Sequence, residues 1–278
     1  GQRVENSHTV SHVRDTPATS TCTHRRRHWG GTDRVGAQAL ELFRYRSLMR
    51  NLITKDLKVR YKNSVLGFFW SLLNPLLMML VFTFVFTQLL GETIPDFPVF
   101  VLIGLLSWNW TATSIAAGTM SIVSNAPLIS KVYFPRMMLP LSVVLANGVN
   151  YVLAFPVIFL FMIIYGIDFT PWLIYLPVIV AVQATLLCGL TLLLSAICVY
   201  FRDTTVLVDI GILAWFFLTP IFYRVEDVVP DLVSWMYWLN PMASIIAELH
   251  TVLYYGGVPD PLFMARTFVT AVVILLLG

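Results

Sequence analysis

The sequence predicts an all-α membrane protein: an N-terminal interfacial amphipathic helix, six transmembrane helices, and a re-entrant helical hairpin on the outer side before the last span. Three observations carry this. Apolar residues make up 58% of the 278 positions, aromatics 14% and charged residues only 12%, where a soluble domain is roughly a quarter charged. So few charges leave too little polar surface to cover a globule in water. An ordinary cytoplasmic enzyme, a disordered chain and a coiled coil are excluded. Several apolar runs also reach the ~20 residues needed to cross a hydrocarbon core, and the basic residues lie mostly on one side of those runs.

Residues 1–35 form a polar, basic tail with the cluster His24-Arg25-Arg26-Arg27-His28 and little that builds a core. The tail reads as flexible and solvated, with a mild attraction to anionic headgroups. Residues 36–278 form the membrane domain. Its first element is a helix over 38–62, with Leu42, Tyr45, Met49, Leu52 and Ile53 on one side and Arg44, Lys55, Lys58 and Lys62 nearly opposite. That pattern suits a helix lying in the interface, apolar face in lipid; docking on another protein is the alternative. Spans follow at about 65–90, 99–117, 139–165, 172–200, 206–223 and 262–277, with a loop at 121–138 between the second and third. The outer segment 232–255 holds two apolar pieces, each short for a span, interrupted at Asn240-Pro241. Two short helices dipping back from the outer face fit it better than a seventh span.

With the N-terminus in the cytoplasm, eleven basic residues from Arg34 to Arg202 fall inside, and two, Arg224 and Arg266, fall outside. This is a positive-inside distribution. Cys22, Cys188 and Cys198 make no disulfide framework.

The chemistry is that of a path without an engine. No lysine follows a glycine in a phosphate-binding loop, no HExxH occurs, and no Cys/His set has zinc spacing, so no metal and no bound cofactor are expected. Asp209 is the clear ionisable residue within a span, too little for a proton relay. The loop SIVSNAPLISKVYFPRMMLP pairs apolar Leu128-Ile129 with Lys131, Tyr133 and Phe134 between Pro127 and Pro135, and suits docking on another protein. Asn147, Tyr151, Phe155 and Phe159 recur every four residues as one slanted stripe. With Phe68, Phe69, Trp70, Trp108 and Trp110 they are candidates to line a channel for a glycan, since rings stack on sugars. Lipid-facing or helix-packing rings are the alternative.

The run KVRYKNSVLGFFW at 58–70, followed by Leu73-Asn74-Pro75, resembles the start of a type 2 ABC exporter permease of the O-antigen, wall teichoic acid and cell-surface polysaccharide group. The loop with Lys131, Phe134 and Pro135, the run Tyr200-Phe201-Arg202-Asp203, and Thr219-Pro220-Ile221-Phe222-Tyr223 leading to Leu239-Asn240-Pro241 are also similar, in the family's order over roughly 40–255. The family's short cytoplasmic end after the last helix has no counterpart here, and the long tail is not a family feature.

The resemblance implies a multi-pass protein of the bacterial inner membrane that pairs with a second copy of itself and docks on two ATP-binding cassette subunits. ATP and magnesium would sit on those partners, so the chain is not by itself an enzyme. The cargo implied is a polymer on a polyprenyl diphosphate, with Arg60, Lys62 and Arg202 at its entrance. Coupling to the ATPase falls to Asn125, Pro127, Leu128, Ile129, Lys131, Tyr133 and Phe134. Membrane lipids are further partners; nucleic acid is not. The competing readings are an ABC permease for drugs or lipids, and a membrane enzyme acting on polyprenyl-linked sugars. The enzyme needs an acid/base pair that the sequence lacks.

Overall fold

The computed structural model describes residues 44–61, 69–91, 94–131, 134–224 and 237–278, without the side chains of Arg60, Tyr61, Phe69, Trp70 and Ser71. All of these belong to the unit Glu41–Gly278. The tail 1–35, the start of the first helix, Lys62, Phe68 and Tyr133 lie outside the described residues.

Among the described residues every regular element is helical. Helix α1 is Arg46–Tyr61, within the predicted 38–62. Helix α2 (Phe69–Thr83) carries Pro75 in its interior and runs on into a π-helical turn, Phe84–Leu89. Helix α3 (Phe97–Ser124) is followed by the single turn α4 (Ala126–Ile129), then α5 (Met138–Tyr165). A 3₁₀ turn, Pro171–Tyr175, leads into α6 (Leu176–Tyr200), and α7 is Thr204–Leu218. Helices α8 (Pro241–Leu253) and α9 (Pro261–Leu277) complete the set.

Four segments are long and apolar enough to cross a membrane: 72–89, 97–124, 138–165 and 171–200. They match the first four predicted spans. The fifth was expected to reach Tyr223 but its helix stops at Leu218. Proline disfavours helical geometry in the residue before it, and Thr219, before Pro220, is extended (φ −102°, ψ 130°). The following residues turn back into the bundle, where Ile221 is fully buried against Gly104. Of the predicted outer hairpin, α8 is the second half; most of the first half lies outside the described residues.

Helix α3 is the axis of the molecule, and α2, α5, α6, α7 and α8 all pack against it. With lipid outside, apolar burial drives little helix association, so close packing and hydrogen bonds must do it. Both are present. A Cβ on Gly189 of α6 would stand 2.6 Å from the backbone nitrogen of Leu275 in α9, so only glycine permits that crossing. At the centre, Ser107 Oγ donates to Gln183 Oε1 (3.2 Å), and Gln183 Nε2 donates to Ser107 O (3.0 Å) and Thr111 Oγ1 (3.1 Å). This polar knot joins α3 to α6.

Candidate functional site

The amphipathic helix was expected to press its apolar face into lipid. It instead presses much of that face onto the chain itself. Leu52 is buried with Phe134, Met138 and Leu139 in a small cluster that Tyr45, Leu48, Met49, Leu128 and Ile129 cover. Lys55 and Lys58 remain exposed. The pattern of apolar positions fixes which face is covered, but a protein surface and a bilayer satisfy it equally well.

The same cluster sets the loop at 121–138. Residues Ser121 to Ser124 continue α3, and α4 supplies one further turn. Leu128 and Ile129, expected to be exposed, are half-buried against the α1 cluster, and Phe134 is buried. The surface this turn offers is made by Ala126, Pro127, Ser130 and Lys131. Asn125, at the junction of α3 and α4, donates Nδ2–H to Ser121 O (2.8 Å), and its Oδ1 accepts from Lys55 Nζ (3.3 Å). That bond ties α1 to the junction of α3 and α4.

Between α1, the end of α3 and the start of α5 lies a cavity of about 490 Å³. Its polar lining includes Lys55, Asp56, Ser121, Ser124, Ser142 and Asn147. Asn147 also borders a smaller space of about 40 Å³ with Asn109, Thr113, Asn150 and Tyr151. Asn147 is 3% exposed, and neither its Oδ1 nor its Nδ2 has a hydrogen-bond partner.

The rest of the stripe is a ring ladder. Trp110 stacks on Tyr151 (4.9 Å), Tyr151 meets Phe155 (5.0 Å), Phe155 stacks on Phe159 (6.1 Å), and Phe159 meets Phe169 edge-on. Trp110 Nε1 donates to Val144 O (3.1 Å). Trp108 is edge-on to Trp215 (5.8 Å). Trp108, Trp110, Tyr151 and Phe155 are buried and Phe159 half-buried, so within one chain these rings bind helices together. Arg202 is exposed before α7, and Asp209 is exposed on it. The side chains of Arg60, Phe69 and Trp70 lie outside the description.

At the opposite end of the bundle one buried amide makes five hydrogen bonds. Asn240 Oδ1 accepts from Trp215 Nε1 (2.8 Å) and from the backbone N–H groups of Met242 (3.1 Å) and Ala243 (3.2 Å). Its Nδ2 donates to Leu218 O (3.2 Å) and Thr219 Oγ1 (3.1 Å). One amide thus caps α8 and pins it to the end of α7. His250 is buried: its ring stacks on Phe100 at 3.9 Å and its Nε2 lies 3.0 Å from Phe100 O. Glu248 is buried too, and its Oε2 has no hydrogen-bond partner. Arg266 donates to Tyr237 O (2.8 Å) and lies over the Trp238 and Phe263 rings, which offsets the cost of a cation near a span.

Sequence reading missed Gln183 and the Lys55–Asn125 bond. A lone amide in the apolar run 172–200 was the signal for Gln183. A bond across 70 residues leaves none.

Comparison with known proteins finds relatives over most of the chain. An O-antigen export system permease protein, RfbA, of Myxococcus xanthus is 39% identical over 221 residues, covering 79% of this chain and 85% of that protein. Two proteins of that name from Klebsiella pneumoniae are 35% identical over 228 and 230 residues, each covering 82% of this chain and 87% of the relative. Residues 47–254, from the start of α1 to just past the end of α8, match the ABC-2 type transporter family. The chain belongs to the ABC-2 type transporter family.

Proposed function

We propose that this chain is the transmembrane subunit of an ATP-driven exporter that carries a lipid-linked, O-antigen-like polysaccharide out of the cytoplasmic leaflet of a bacterial inner membrane. The observation that carries the reading is the 35–39% identity to O-antigen export permeases over most of both chains. The bonded unit of α1 and α4 supports it, because it offers a separate ATPase a rigid surface.

In this reading the N-terminus is cytoplasmic, α7 and α9 complete six spans, and α8 is the inner half of a re-entrant hairpin. Two copies assemble on two ATP-binding subunits, which hold ATP and magnesium. The apolar faces left open in one chain support pairing: Leu77, Leu80, Val81 and Phe84 on α2 and its π turn, and Leu207, Ile210, Leu213 and Phe217 on α7, are all more than half exposed. Patches of this kind in a membrane protein meet lipid or a second copy. The path runs between the copies, with the buried rings from Trp108 to Phe159 as its supporting wall. Arg60, Lys62 and Arg202 receive the diphosphate. Pro127 and Lys131 meet the ATPase, while Leu128, Ile129 and Phe134 pass its movement to α1.

Reconstitution with the partner ATPase tests the reading. Polymer appears in the vesicle lumen only when ATP, the ATPase and this chain are all present. Movement without the ATPase overturns it. So does labelling of an Ile129→Cys variant by an impermeant thiol reagent applied to the outside of cells.

A further inference from the structure

We propose that Glu248 is a proton-operated latch: carrying a proton it lets α8 seat against α9, and losing the proton loosens that contact. Glu248 lies on α8, which is not one of the four long spanning segments. It is 6% exposed, and its Oε2 is enclosed with no hydrogen-bond partner. Around it stand Ile179 and Val182 of α6, Ser244 and Ile245 of α8, and Met264 and Thr267 of α9. The two hydroxyls donate elsewhere, Ser244 Oγ to Tyr237 O (3.0 Å) and Thr267 Oγ1 to Phe263 O (3.0 Å). A carboxylate enclosed without a cation is costly and takes up a proton instead.

The elements packed on α8 supply no such cation. Helix α3 has no ionisable residue, α6 has only Cys188, Cys198 and Tyr200, and the 3₁₀ turn has only Tyr175. On α8 itself His250 is turned onto Phe100, and burial lowers it to about 4, so it adds no charge near neutral pH. The single basic residue of α9, Arg266, is held by Tyr237 O (2.8 Å) and Ser244 Oγ (3.3 Å). Asp260 acts in both directions. Its backbone N–H bonds the Glu248 carboxyl and favours the charged form, while its carboxylate opposes that form. Asp260 is itself exposed and caps α9, its Oδ1 accepting from the N–H groups of Leu262 (2.9 Å) and Phe263 (3.4 Å). Burial is the largest influence and pushes Glu248 from its ordinary 4.5 up to about 7. A carboxyl raised in the closed state stabilises that state fully below about 4.5; the contribution falls as pH rises and levels off past about 7. In the orientation proposed above, the turn between α8 and α9 lies on the outer side, so the external medium sets the latch.

The test follows hydrogen exchange of the α8 and α9 amides by mass spectrometry, using the full chain in detergent and correcting for the intrinsic pH dependence of exchange. Wild-type protection falls at least tenfold from about pH 5 to about pH 8. Glu248→Gln, neutral and of the same shape, keeps its protection over that range and melts at or above the wild-type temperature at pH 8. Asp260→Asn retains a helix cap but removes the opposing charge, so the fall is smaller and ends at lower pH. An equal fall in wild type and Glu248→Gln, or protection that rises with pH, overturns the proposal. Because no step reads transport, the outcome is independent of which polymer the protein exports.

Discussion

The two ends of the helix bundle solve the same problem in opposite ways. At the α8 end a single side chain, Asn240, makes five hydrogen bonds, and rings from α2, the π turn and α7 interlock around Phe222, which stacks on Phe82 at 5.3 Å. At the α1 end four buried apolar residues and one exposed lysine bond hold a helix over a large polar cavity. A membrane protein can satisfy its polar groups internally or leave them for something else to meet. At the α8 end Asn240 does the first, although Glu248 Oε2 on the same helix has no hydrogen-bond partner. At the α1 end Asn147 does the second.

This contrast predicts where substitutions bite. The largest effect belongs to Asn240→Ala. It removes a helix cap, worth about 1 kcal/mol, and orphans the Trp215 N–H and the Leu218 carbonyl, each costing roughly 1–3 kcal/mol if unsatisfied. Thermal melting in detergent should fall by several degrees, with low yield of folded protein; a melt at the wild-type temperature would mean that water replaces the amide. Gly189→Leu comes next. Its side chain meets backbone rather than a movable tip, so the α6–α9 crossing must open, a cost of about 1–3 kcal/mol. Thiol labelling of an Ala271→Cys variant, at a fully buried position of α9, reads that opening directly.

Leu52→Ala sharpens the comparison from the other side. Truncating a buried leucine costs about 2 kcal/mol in a site that partly collapses. Because the bundle stands on α3 and not on α1, the melt should move little while polymer-dependent ATP hydrolysis by the complex falls. A matching loss in Asn240→Ala at a temperature where that variant is folded would erase the distinction between the ends. Smallest is Lys55→Ala. An exposed bond of 3.3 Å contributes within about 0.5 kcal/mol, so stability stays put. Any change should appear only in the coupling of hydrolysis to export.

Local signals made much of this legible. The caps at Asn240-Pro241 and Asp260-Pro261 can be read from two residues each, because the side chain bonds the backbone two and three positions on. Four spans were legible because a long apolar run has no other stable home. Phe134 was read as part of a candidate docking loop, and its burial with Leu52 was not foreseen. Nor was the fate of His250 and Glu248: in a short helix packed all round, polarity no longer reports exposure. The stripe from Asn147 to Phe159 was seen correctly as one helical face, yet a face does not name its neighbour. That the Asn147 amide is buried without a partner depends on how the helices around it pack.

By itself, then, the sequence determined the solvent and the long helices, since composition and run length act within a single segment. The tertiary structure decided which apolar face meets protein rather than lipid, which amide is satisfied and which is left bare. Those outcomes depend on distances between segments 70 or more residues apart, such as Lys55 and Asn125, and no periodicity along the chain encodes them.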